Sequence, residues 1–168
     1  MRLLNPTWYI EDVCSIDLDY LKNQGVKVLM FDLDNTIVKP YSSDLEKEVY
    51  DFLLEASKKF DVYIISNNKD ARVSKVAKTV NASYLASTRK PFTKRLKRFL
   101  LSKNALNESS LLVGDQLLTD IWCANKLKIR SILVEPLENR DLVITRLNRF
   151  IDKRIRSRAI KRGLYKKL

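Results

Sequence analysis

Val28-Leu29-Met30-Phe31-Asp32-Leu33-Asp34-Asn35-Thr36 is an apolar run that ends in two aspartates one residue apart, followed at once by Asn and Thr. In a strand, alternate side chains share a face. Where the strand ends and the chain turns, Asp32 and Asp34 can therefore converge on one small site. Two carboxylates so placed suit a hard cation such as Mg2+, which takes oxygen ligands. They also suit nucleophilic or acid–base chemistry, since a carboxylate can attack phosphorus and form an acyl phosphate. The same pattern also describes a solvated turn after a strand, Asp and Asn being ordinary turn residues. The rest of the chain decides between the two.

Outward from this run, short apolar β-rich segments alternate with helical patterns. Val26–Phe31, Val62–Ile65, Ser83–Ala86, Leu111–Val113 and Ser131–Val134 read as five strands. Between them Asp44–Lys59, Lys69–Thr79, Phe92–Lys103 and Leu117–Lys126 carry apolar residues at helical spacing. Such alternation predicts an α/β fold with a mainly parallel sheet and helices on both faces. Ligands of such sheets bind beyond the C-terminal strand ends, at a switch in strand order. Only three glycines are present, so there is no glycine-rich phosphate loop of the P-loop or dinucleotide-binding kind.

The 168 residues suffice for one domain with a real core. The absence of histidine removes His-dependent triads and His-ligated zinc. Cys14 and Cys123 are far apart and outside metal-binding spacing, so they are expected as reduced, packed thiols. The N-terminus shows neither a long apolar region nor a small-residue cleavage site, and no secretory leader is expected. Residues 1–25, with Trp8, Tyr9, Ile10 and Val13, read as a segment packing on the domain, for which we set bounds of 1–150. Residues 151–168 form a basic C-terminal extension. From Arg140 to Leu168 eleven Lys/Arg face two Asp, so +9 of the net +12 sits there.

The strand exits carry the chemistry. Val62–Ile65 ends in Ser66-Asn67-Asn68, a source of hydroxyl, amide and N–H groups for a phosphate. Arg89-Lys90-Pro91 follows the third strand and offers a cation at a fixed position. The fourth strand ends in Gly114-Asp115-Gln-Leu-Leu-Thr-Asp120, which places Asp115 within reach of a metal held by Asp32. Each element alone also reads as a cap, a surface lysine or a turn. Together, in this order and all at strand exits, they form one constellation.

That ordered set resembles the haloacid-dehalogenase (HAD) superfamily of phosphotransferases. Phe-Asp-Leu-Asp-Asn-Thr, Ser-Asn-Asn, Arg-Lys-Pro, Gly-Asp-Gln-Leu-Leu-Thr-Asp and the later Ile144-Thr-Arg-Leu-Asn-Arg149 resemble the bacterial YqeG-type subclass IIIA phosphatases. Those are similar to the mitochondrial phosphatidylglycerophosphatase. The resemblance implies a Rossmann-like three-layer sandwich around the mainly parallel five-stranded sheet, and the short intervals from Thr36 to Asp44 and from Ser66 to Lys90 leave no room for the cap domain such enzymes usually insert. It also implies Asp32 as nucleophile, Asp34 as general acid and base, and Ser66 and Lys90 as holders of the transferring phosphoryl group. Mg2+ would be held by the Asp32 carboxylate, the Asp34 backbone carbonyl and Asp115, with Asp120 orienting its waters. Asn35, Thr36 and Asn67 would complete the substrate cradle.

An open site without a cap suits a bulky substrate. The expected reaction is hydrolysis of phosphatidylglycerophosphate to phosphatidylglycerol in the cytoplasm, with peripheral contact between the basic C-terminus and the inner face of an anionic membrane. Two alternatives stay open: a phosphatase of a soluble phosphomonoester or nucleic-acid 3′-phosphate, and an RNA- or ribosome-binding protein with a regulatory site. The basic segment attracts either polyanion, and charge alone does not separate them.

Overall fold

The computed structural model describes residues 2–138 and 146–168. Six strands, β1 (Trp8–Ile10), β2 (Val28–Asp32), β3 (Asp61–Ile65), β4 (Ser83–Leu85), β5 (Ser110–Gly114) and β6 (Arg130–Val134), form one sheet in the order β1-β6-β5-β2-β3-β4. Every pairing is parallel. The five-strand expectation is thus corrected to six. The added strand comes from the N-terminal segment, where Trp8, Tyr9 and Ile10 pair with Ile132, Leu133 and Val134 of β6. Its partner lies more than a hundred positions away, so no local pattern marks it as a strand.

Helices α1 (Leu18–Asn23), α2 (Lys47–Lys59) and α3 (Asp70–Thr79) cover one face, packing on Leu29, Phe31, Val62, Ile64, Leu111 and Val113. The opposite face, Val28, Met30, Tyr63, Ile65 and Leu112, is covered by α4 (Lys94–Ser102) and α5 (Trp122–Leu127). Alternate residues of β2 thus enter different cores, and all five are buried. A strand covered on both faces cannot alternate apolar with polar, which is why this one reads as a continuous apolar run. The stretch expected as one helix from Leu117 divides into a π-helical turn, Leu117–Ile121, followed by α5. Both Asp120 and Ile121 donate their amides to the Gln116 carbonyl. Single π turns inside helices recur at functional sites.

Helix α6 (Arg146–Lys161) runs across the 150/151 boundary. Leu142 and Ile144, part of the expected apolar stripe, lie outside the described residues, as do the side chains of 146–150. Cys123 is buried and Cys14 half-buried, and both thiols are free. Burial pushes each up to about 11.

The chain builds β2, β3 and β4 outward in one direction, then returns to lay β5 on the other side of β2. The strand order therefore switches between β2 and β5. Phe31 pairs with Val113, so Asp32 and Gly114 leave the sheet side by side.

Candidate active site

Three carboxylates meet at the switch point. Asp32 ends β2, Asp115 follows β5, and Asp120 returns on the π turn; all are buried. One ligand oxygen from each lies within 4.8 Å of the others. Lys90, 5% exposed, comes from the β4–α4 loop and places Nζ 2.5 Å from Asp32 Oδ1 and 2.6 Å from Asp120 Oδ1.

The electrostatics follow from that packing. Burial raises the Asp32 carboxyl above its ordinary range; Lys90 opposes the shift and Asp120 adds to it. Burial alone would depress the Lys90 ammonium, but Asp120 and Asp32 outweigh it and hold the group protonated. Three buried carboxylates thus lie close together, with Lys90 pairing with two of them, Asp32 and Asp120. A hard divalent cation with oxygen ligands fits this donor set.

Gly114 makes room for the cluster. A Cβ on it would lie 2.5 Å from Asp120 Cγ and 2.6 Å from Asp120 Oδ2. We therefore expect Gly114→Ala to displace the Asp120 carboxylate and destabilise the fold by about 1–3 kcal/mol, as overpacked sites do. Cation affinity should fall about tenfold or more. Thermal melts with and without Mg2+ check both effects, and an unchanged Mg2+ response would mean that Asp120 has no part in cation binding.

The other expected residues divide into two sets. Asp34 is half-buried above the cluster: Oδ1 lies 2.5 Å from Arg72 Nη1, and Oδ2 accepts from Asn68 Nδ2. Ser66 is buried, with Oγ accepting from the Asn68 amide at 3.1 Å. Thr36 Oγ1 and Asn35 Nδ2 are buried with no hydrogen-bond partner among the described residues, as donors awaiting a ligand would be. Asn35 also shapes the site. It adopts φ +61°, its carbonyl accepts from the Leu137 amide, and its Oδ1 accepts from the Glu138 amide at 3.0 Å.

Asn67 lies against the Lys90 loop. Its Oδ1 accepts from Thr88 Oγ1 and from the Lys90 amide, both at 2.7 Å, and its Nδ2 donates to the Lys90 carbonyl at 3.0 Å. The side chain thus braces the lysine loop.

Three residues escaped the sequence reading. Arg72, on the first turn of α3, donates to the Ser42 carbonyl as well as pairing with Asp34, and so ties the β2–α2 loop to the site. Arg156 and Asp152 reach the β5 exit from α6. No local pattern marks any of them, because each acts on a segment distant in sequence.

The model of the mitochondrial PGP phosphatase family matches residues 1–137. The chain is 32% identical over 161 residues to a protein of Bacillus subtilis (strain 168) described as the probable phosphatase YqeG, covering 94% of this chain and 92% of that one. It is 24% identical over 170 residues to the chloroplastic/mitochondrial phosphatidylglycerophosphate phosphatase 1 of Arabidopsis thaliana, covering 95% of this chain but 49% of that protein. A haloacid dehalogenase-like family hydrolase of Streptococcus pneumoniae superposes with a TM-score of 0.53 at 13% identity, over 66% of this chain and 85% of the other. That last likeness shows the fold.

Proposed function

This chain belongs to the mitochondrial PGP phosphatase family and is a HAD-type phosphatase; we propose that it hydrolyses phosphatidylglycerophosphate to phosphatidylglycerol with Mg2+. The observation that carries the chemistry is the buried Asp32–Asp115–Asp120 cluster with Lys90 at its edge. The substrate rests on the family and on the basic C-terminal segment.

In this reading Asp32 attacks phosphorus as the bond to the leaving alkoxide breaks, and Asp34 passes its proton to that oxygen. Asp34 then takes a proton from the water that attacks the aspartyl phosphate, which frees Asp32 and inorganic phosphate. Arg72 and Asn68 hold the Asp34 carboxyl in place between these steps. Lys90, Ser66, Thr36 and Asn35 bind the phosphoryl oxygens, while Asn67 keeps Lys90 at its station. Asp32, the Asp34 carbonyl and Asp115, with Asp120 beside them, would hold Mg2+, which when bound would supply charge neutralisation for the transferring group.

The intervals where HAD enzymes insert caps are short here. Residues 33–46 form a loop, and α3 alone occupies the stretch between β3 and β4. We read the site as capless and open, suited to a head group that projects from a larger surface. No helix of the described residues is long and apolar enough to cross a membrane. In our reading the enzyme acts from the cytoplasm, and Lys153, Arg154, Arg158, Lys161 and Arg162 of the exposed α6 region draw it to anionic lipid.

The test is phosphate release from phosphatidylglycerophosphate in mixed micelles, with Mg2+ and with EDTA. Metal-dependent release is the expected result. Turnover of an aryl phosphate without turnover of the lipid would move the substrate to a soluble phosphomonoester. Salt-sensitive RNA binding with neither activity would overturn the enzymatic reading.

A further inference from the structure

Helix α6 is strongly cationic, yet it turns two of its charges inward. Arg156 is 7% exposed and Asp152 6%, whereas Lys153, Arg154, Arg158, Lys161 and Arg162 of the same segment are exposed. Both buried groups reach the loop that leaves β5. Arg156 Nη2 donates to the Asp115 carbonyl, and Nη1 donates to the Val134 carbonyl at 3.1 Å. Asp152 Oδ1 accepts from the Leu117 amide at 2.6 Å and from the Leu118 amide at 3.4 Å. The segment Asp115–Leu118 is therefore held at its carbonyl by a cation and at its amides by an anion, one helical turn apart on one helix.

The clamp is itself anchored. Arg156 Nη1 lies 2.9 Å from Glu135 Oε1, which accepts from Tyr9 Oη at 2.7 Å. Beyond α6 the chain returns to the sheet edge, where the Tyr9 amide donates to the Lys166 carbonyl at 2.9 Å and the Tyr165 ring lies 5.8 Å from that of Tyr9. Ala159 of the same helix is buried.

Stability alone is a poor reason for this arrangement. A buried ion pair loses on desolvation about as much as it gains, and apolar residues of equal volume would seat a helix as well. An ion pair aimed at main-chain groups delivers direction instead. The groups it directs determine where two of the clustered carboxylates stand: Asp115 belongs to the clamped segment, and Gln116 donates its amide to Asp120 Oδ2 at 3.1 Å.

We infer that Arg156 and Asp152 are positioning residues that set the geometry of the Asp115–Asp120 turn, so that α6, beyond the 1–137 family match, is an integral part of the active site. The inference rests on the reading that Asp115 and Asp120 serve the cation. It adds to the proposed part of this helix, whose exposed side carries Lys153, Arg158 and Lys161.

The test compares the 168-residue chain with Arg156→Lys, which keeps the charge but not the two-armed reach, and with Asp152→Ala, which removes the acceptor of the Leu117 and Leu118 amides. Leu100→Ala, on the buried face of α4, serves as a destabilised control. Two quantities are read: the Mg2+ concentration at half-maximal thermal stabilisation, and amide exchange at Leu117 and Leu118 relative to Leu111 and Leu112, without metal. We expect both α6 variants to need about tenfold more Mg2+ or beyond, the range typical when a group that orients a metal ligand is lost. Leu117 and Leu118 should lose protection selectively, while Leu100→Ala lowers the melting temperature and alters neither readout. If Arg156→Lys does not fold, Asp152→Ala carries the same two readouts. Variants that melt lower but keep the Mg2+ midpoint within twofold and the exchange pattern unchanged would overturn the inference. A wild-type protein without any Mg2+ response would instead sink the cation reading, and selective loss of protection would then still support the clamp.

Discussion

Asp32→Asn is expected to lower phosphate release to below about one-thousandth of the parent rate, since a carboxamide cannot attack phosphorus and loss of a nucleophile is among the costliest active-site changes. The fold should survive. Asn has the shape of Asp, and its Oδ1 can still accept from Lys90, which also keeps Asp120 as a partner. Burial is the largest cause of the raised Asp32 carboxyl, so a neutral side chain at this position removes a desolvation cost. In EDTA the variant should therefore melt no lower than the parent. Rapid quench of the parent with substrate should trap a phosphoryl group on the peptide containing Asp32, and the variant should show none. Residual turnover within tenfold of the parent, with no trapped phosphoenzyme in either protein, would exclude Asp32 as the nucleophile.

How much of this was readable beforehand depends on where each residue's partners lie. The apolar run into Asp32 and the exits after Ile65 and Val113 mark both the strands and the site, because a parallel sheet brings its C-terminal strand ends to one edge. Spacing thus leads to Asp32, Ser66, Lys90 and Asp115 without any knowledge of contacts. Gly114 reads as a tight exit, but its second service, leaving space for Asp120, appears only when the π turn folds back on the strand.

What escaped the sequence has long-range causes. Trp8–Ile10 becomes a strand only because β6 offers an open edge for it. Arg72 reads as one more polar residue on α3 until the fold sets it against Asp34. That the Asn67 side chain holds the Lys90 loop appears only when that loop folds back beside Ser66. Most of all, a run of arginines and lysines reads as one solvated surface. Which of them turns inward depends on the helix's position over the β5 exit, and that choice falls on Arg156.

Removing Lys90 should have the largest effect on stability, and the direction of its rescue is informative. In Lys90→Met the aliphatic stem is kept while the ammonium is lost, leaving Asp32, Asp115 and Asp120 within 4.8 Å of one another. Breaking a buried pair by deleting one partner costs about 3–5 kcal/mol. For a domain of this size that lowers the melting temperature by roughly 10 °C in EDTA. A divalent cation binding these carboxylates should stabilise the variant more than the parent, because a ligand that binds only the folded state shifts the equilibrium toward it. The melting temperature should thus recover with Mg2+. Turnover should not recover, and should stay about a hundredfold or more below the parent, because the phosphoryl oxygens have lost a preorganised positive group. That separation of stability from activity is what distinguishes a lysine that binds the transferring group from one that only neutralises the cluster. Recovery of both with Mg2+ would assign Lys90 a charge-balancing role alone, and an unchanged melting temperature in EDTA would show that the three carboxylates do not share the buried charge their geometry implies.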